Sequence, residues 1–139
     1  MTTIEEALEG STPLAEKVRA AGPYHSTAEL IARMRATLPT LTEAEKVATL
    51  NAHPRIGEDP RHLSERSLRE QGGKAVPELD RLNAEYERRF GFRFVVFVNR
   101  RPKAQMVEVI QERLHRSREE EMEEGLRAII AIAEDRLRA

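Results

Sequence analysis

The sequence predicts an all-α fold, a compact single-domain bundle of about six to eight helices with one buried extended segment. Three observations point there. Charged residues make up 34% and aromatics only 4%, with Leu, Ile, Val and Ala supplying most of the apolar content, a balance typical of amphipathic helices more than of a β-sandwich. Ser/Thr-x-x-Glu patterns recur, each a capping box in which a hydroxyl and a carboxylate reciprocally satisfy orphan backbone N–H groups. Apolar residues then follow three or four apart. A chain of 139 residues suits one domain, residues 1–139, and can bury a single core without staples.

Thr3-x-x-Glu6 opens a short helix that Gly10 can close. Thr12-Pro13 supplies an N-cap and a proline at the first helical position, for a helix that carries Leu14 and Val18 and ends before Gly22-Pro23. Ser26-x-x-Glu29 starts the next, with Leu30, Ile31, Met34 and Leu38 at helical spacing and Pro39 as its end. Thr42-x-x-Glu45 opens a helix bearing Val47 and Leu50 that stops at His53, because Pro54 disfavours α conformation in the residue before it. Residues 54–63 read as a loop, and Ser64 to Gln71 as a short helix closed by Gly72-Gly73. After Pro77, Leu79, Leu82, Tyr86 and Phe90 define a clear helix with Gly91 just past its end. Phe92 to Val98 has strand propensity but no evident partner strand, so it reads as a buried extended segment. Two helices finish the chain. One carries Met106, Val109, Ile110 and Leu114. The other starts at the box Ser117-x-x-Glu120 and carries Met122, Leu126, Ile129, Ile130, Ala133 and Leu137.

Composition excludes several classes of function. Lys+Arg and Asp+Glu number 23 and 24, interspersed, so neither nucleic acid nor an anionic membrane is an expected partner. The pairs Arg88-Arg89 and Arg100-Arg101 read as solvated faces. Cysteine is absent, which removes disulfides, thiolate metal sites and a cysteine nucleophile. No apolar run is long enough to span a bilayer, no signal peptide is evident and the last residues are not a peroxisomal address, so the expected setting is cytoplasmic. Glycine-rich phosphate loops and dinucleotide fingerprints are missing. The histidines, His25, His53, His62 and His115, do not pair at helical spacing, so no metal site is expected.

Three places can carry chemistry. His53 ends a helix in the run Asn51-Ala52-His53-Pro54-Arg55-Ile56-Gly57. There it points out from a rigid terminus whose partial negative charge favours imidazolium, which suits a general acid; a plain helix-capping histidine fits the same residues. Ser67-Leu68-Arg69-Glu70-Gln71 groups a hydroxyl, a carboxylate and an amide suited to a small planar polar ligand, although Ser67-x-x-Glu70 by itself reads first as another capping box. Arg136 lies beside the apolar stripe of the last helix, where it can pair with a substrate carboxylate or simply complement the helix dipole. The acidic run Glu119-Glu120-Glu121 complements the N-terminal end of that dipole and is assigned no function.

Taken together, these stretches carry a resemblance. His53-Pro54-Arg55-Ile56-Gly57, Ser67-x-x-Glu70-Gln71-x-Gly73, Leu82-Asn83-x-x-Tyr86-x-x-x-Phe90-Gly91-Phe92-x-Phe94 and the C-terminal Ile129-x-x-Ile132-x-x-x-Arg136-Leu137 resemble, in order and spacing, the 2-oxo-4-hydroxy-4-carboxy-5-ureidoimidazoline (OHCU) decarboxylases. The resemblance covers roughly residues 44–137 and, before that, Ser11, Pro13 and Pro23-Tyr24-x-Ser26. Members usually carry Trp in the N-terminal part, and this chain has none. The resemblance implies an all-α homodimer that uses no cofactor and converts OHCU to (S)-allantoin and carbon dioxide in urate degradation. It implies catalytic roles for His53, Glu70 and Arg136. It also implies substrate contacts from Pro54, Ser67 and Gln71 and from the backbone of Phe94, Val95, Val96, Phe97 and Val98. A non-catalytic helical module binding a ligand or a protein, and a decarboxylase of a related ureido acid, are the alternatives. The joint presence of His53, Glu70, Gln71 and Arg136 favours the enzyme.

Overall fold

The computed structural model describes residues 2–57 and 76–139. Seven α-helices lie among them: α1 (Ile4–Ala7), α2 (Pro13–Ala20), α3 (Thr27–Thr37), α4 (Glu43–Asn51), α5 (Pro77–Phe90), α6 (Gln105–Arg113) and α7 (Arg118–Arg138). The expected helix from Ser64 to Gln71 lies outside the described residues.

Local chemistry explains the starts. Thr3, Thr42 and Ser117 each form the full reciprocal capping box with Glu6, Glu45 and Glu120. Thr12 accepts from the amide of Ala15, with Pro13 opening α2. Ser26 caps α3 through the amide of Glu29, but Glu29 reaches past it to the amide of His25 at 3.0 Å. Gly91 closes α5 in the left-handed conformation at φ 82°, donating to the carbonyl of Glu87. Two ends differ from expectation. After α3 the chain continues through Pro39 as a 3-10 turn, Leu38–Thr40, which the fixed φ of proline tolerates. α4 stops at Asn51, so His53 stands two residues beyond it.

α7 is the spine. Its 21 residues span about 32 Å, and it packs against α1, α3 and α4. Its apolar stripe, Met122, Leu126, Ile129, Ile130 and Ala133, is buried. Gly125 lets α4 approach closely: a Cβ there would lie 2.7 Å from Leu50 Cδ2. α2 bridges α3 and α4, and α5 packs on α6.

Phe92 to Val98 runs extended without strand pairing among the described residues. Aromatic packing and arginines hold it in place. Phe94 sits edge-on to Tyr86 at 5.2 Å between ring centroids, and Arg113 lies over the Phe94 ring. Arg113 donates to the carbonyl of Val95 at 3.0 Å, and Arg101 donates to those of Phe97 and Val98.

The acidic run at the start of α7 has a second duty. Glu121 is fully buried, accepting at 2.7 Å from both Tyr86 Oη and Arg113 Nε. Its position explains why: it lies four residues before Gly125 and eight before Ile129, on the stripe that faces the core. Burial and the neighbouring carboxylate push the Tyr86 hydroxyl far above its ordinary range, so it remains a donor.

Candidate active site

The geometry of the site begins at the two ends of the chain. α1 packs on the C-terminal part of α7, which brings the turn after α1 against Arg136. That arginine is buried, 2% exposed. It donates from Nη1 to the carbonyl of Glu6 at 2.9 Å and from Nη2 to Glu9 Oε1 at 2.8 Å. Both side chains of the ion pair are withdrawn from solvent, at 2% and 10% exposure. Thr2 closes the arrangement by donating to the carbonyl of Arg136 at 3.3 Å.

His53 enters from α4. Its amide donates to the carbonyl of Leu50 at 3.2 Å, and its own carbonyl accepts from Arg93 Nη1 at 3.2 Å. The side chain turns inward and is 3% exposed. Neither Nδ1 nor Nε2 has a hydrogen-bond partner among the described residues. Buried imidazoles are ordinarily hydrogen-bonded; among the described residues this ring has only a backbone contact to the Thr49 carbonyl that falls short of hydrogen-bond geometry, which leaves its nitrogens available to another group.

Sequence reasoning placed His53 pointing outward, with the helix dipole favouring imidazolium. The structure reverses that balance. Burial pushes the pKa down to about 4; Glu9 acts through space to favour the protonated form, Arg136 opposes it, and the Thr49 carbonyl one turn back favours it again. Desolvation outweighs the dipole, so the imidazole is neutral near pH 7.

Of the residues expected in the site, His53 and Arg136 are brought into one electrostatic neighbourhood. Pro54 follows His53 and is half-buried. The extended segment is tied to the same corner through its start: the Arg93 amide donates to Asn51 Oδ1 at 2.9 Å, in addition to the side-chain bond to the His53 carbonyl. Phe94, Val95, Val96 and Val98 are buried, and Phe97 half-buried. Ser67, Glu70 and Gln71 lie outside the described residues. Glu9 escaped sequence reasoning, which took the residues around it as the close of a short helix. Its backbone is left-handed, φ 60°, and no spacing pattern announces that turn.

On the outer side of this corner lies a groove of about 310 Å³ lined by Asn51, Arg55, Glu87, Gly91, Phe92 and Arg93. The bidentate pair of Arg55 with Glu87, at 2.6 and 2.9 Å, spans it. No three potential His, Asp or Glu metal ligands cluster among the described residues.

The fold is that of an OHCU decarboxylase: one crystallised in the presence of (S)-allantoin superposes with a TM-score of 0.78 at 23% identity, over 96% of this chain and 92% of that one. The OHCU decarboxylase family matches residues 1–138. A 2-oxo-4-hydroxy-4-carboxy-5-ureidoimidazoline decarboxylase of Haloferax volcanii is 29% identical over 140 residues, covering 95% of this chain and 83% of that protein. A uric acid degradation bifunctional protein of Bacillus subtilis is 29% identical over 143 residues, covering 97% of this chain but only 29% of that protein. This chain therefore spans under a third of the bifunctional relative. It belongs to the OHCU decarboxylase family.

Proposed function

We propose that this chain decarboxylates 2-oxo-4-hydroxy-4-carboxy-5-ureidoimidazoline to (S)-allantoin and carbon dioxide, as a step of urate degradation. The observation that carries the reading is His53. In a chain of this family, an imidazole is buried with neither nitrogen in a geometric hydrogen bond among the described residues, within the electrostatic reach of a buried arginine and its carboxylate.

The chemistry suits such a site. The carbon–carboxylate bond breaks, carbon dioxide leaves, and the electron pair passes into the conjugated ring. One proton is then delivered to a single face of the carbon bearing the ureido group, which sets the configuration. A dry pocket favours the first step, because it removes water from the departing carboxylate. Burial keeps His53 neutral near pH 7. The substrate's carboxylate, an anion arriving beside it, favours the imidazolium, so substrate binding draws a proton onto the ring. His53 then polarises the substrate and takes part in proton transfer. Arg136 supplies positive charge. Glu70 and Gln71 hold the ureido and hydroxyl groups, with Pro54, Ser67 and the backbone from Phe94 to Val98 as further contacts. A homodimer working in the cytoplasm without a cofactor completes the proposal; sedimentation equilibrium checks the dimer.

The test is His53→Ala with OHCU generated in situ, followed by its ultraviolet absorbance. Removing a general acid–base group costs ~10²–10⁴-fold. A folded variant slowed by that order supports the assignment, and near-normal turnover ends it.

A further inference from the structure

We infer that Glu9 is a positioning residue of this site: its carboxylate fixes the Arg136 guanidinium and balances its charge beside His53. The inference rests on the decarboxylase reading for its consequence in catalysis, though not for its geometry.

Three observations converge on Glu9. First, the ion pair is buried on both sides, at 2% and 10% exposure. A guanidinium withdrawn from water beside a buried imidazole is tolerated only if an anion accompanies it. Among the described residues Glu9 supplies such an anion, and the Glu6 carbonyl is a further acceptor that helps fix the plane of the fork. Secondly, Glu9 holds a left-handed backbone, φ 60°, followed by Gly10 at φ 110°. A side chain other than glycine, asparagine or aspartate adopts that conformation at a cost, and such outliers persist where their surroundings hold them. Here the left-handed turn accompanies an inward-directed carboxylate at the end of a four-residue helix. Thirdly, Glu9 and Arg136 act on His53 in opposite senses. The pair therefore presents the imidazole with opposed charges, the effect of Glu9 being the larger, whereas Arg136 alone would disfavour its protonation.

A residue that serves only stability would leave the turnover of folded protein unchanged. A positioning residue would not. Glu9→Gln keeps the side chain's shape and an acceptor while removing the charge. Glu9→Asp keeps the charge, enters the left-handed conformation more readily, and draws the carboxylate back by one methylene. Each is compared with the wild type on OHCU by kcat and KM, beside a thermal melt. A misplacement of about 1 Å costs roughly 10²-fold in rate, so kcat of folded Glu9→Gln falls by about that factor, with Glu9→Asp between it and the wild type. A second readout needs no turnover. In ¹⁵N-resolved NMR spectra, the Arg136 Nη protons of the wild type are separate and slowly exchanging, and in Glu9→Gln they merge through rotation of the guanidinium.

Wild-type kcat in both folded variants overturns the inference, as do Arg136 signals that ignore the substitution. Should Glu9→Gln fail to fold, Glu9→Asp decides by the same two readouts, and loss of fold in both assigns Glu9 to stability alone. If the wild type itself leaves OHCU untouched, the decarboxylase reading fails, and the Arg136 signals still decide whether Glu9 positions it.

Discussion

Arg113→Met offers a stringent test of what holds the extended segment in place. The guanidinium is 5% exposed and the Glu121 side chain fully buried, 2.7 Å apart. The same arginine donates to the Val95 carbonyl and lies 4.6 Å from the centre of the Phe94 ring. Methionine replaces the stem but leaves Glu121 as a buried carboxylate supported by Tyr86 and, at 3.7 Å, by the half-exposed Arg116. Breaking a buried pair from one side costs about 3–5 kcal/mol. A chain of 139 residues unfolds with an entropy of about 0.3 kcal/mol/K, so the melting temperature falls by roughly 10–17 °C. Adding Glu121→Leu removes the stranded charge as well, and the double variant recovers much of the loss, because a buried pair is worth little against apolar groups of similar size. The assay is urea and thermal unfolding of the two single variants and the double variant, read as a thermodynamic cycle. Strictly additive losses, or a single-variant loss under about 1 kcal/mol, would refute the claim that this buried pair works as a unit.

Two further outcomes follow from single residues. His53 has its pKa depressed by burial from 6.5 to about 4. The unfolded chain therefore takes up a proton that the folded chain refuses: stability is fully present above pH 6.5 and is lost as the pH falls towards 4, by roughly 3 kcal/mol in total. The stability difference between wild type and His53→Asn should be flat above pH 7 and slope between 6.5 and 4, and a flat difference throughout would show that His53 is not desolvated. Gly91→Ala forces a Cβ into φ 82° in otherwise open space, so strain alone acts; chemical denaturation should show a loss of about 1–2 kcal/mol, and an unchanged midpoint would contradict the left-handed cap.

Much of the fold could be read from the chain because its signals are local. The boxes at Thr3, Thr42 and Ser117 involve atoms three residues apart, and Gly91 ends α5 by its own conformational freedom. The buried extended segment was legible by elimination, since it had no strand to pair with. The parts that resisted reading depend on contacts distant in sequence. Glu9 meets Arg136 across 127 positions, and nothing near Glu9 signals the inward turn. Glu121 could have been placed in the core from its position on the stripe of α7, but the acidic run as a whole was accounted for by the helix dipole. At His53, local sequence signals pointed to the wrong charge state. The dipole of α4 is a local property, whereas the desolvation that overrides it comes with burial in the assembled fold.

The central claim is that this buried corner delivers a proton to one face of the decarboxylated substrate. Circular dichroism recorded while OHCU is formed from urate by urate oxidase and the hydrolase that follows tests it directly. The account predicts a rapid rise of the dextrorotatory signal of (S)-allantoin when this protein is added, well ahead of spontaneous decay to racemic product. Allantoin that forms no faster than without the protein, or forms fast but racemic, would contradict it.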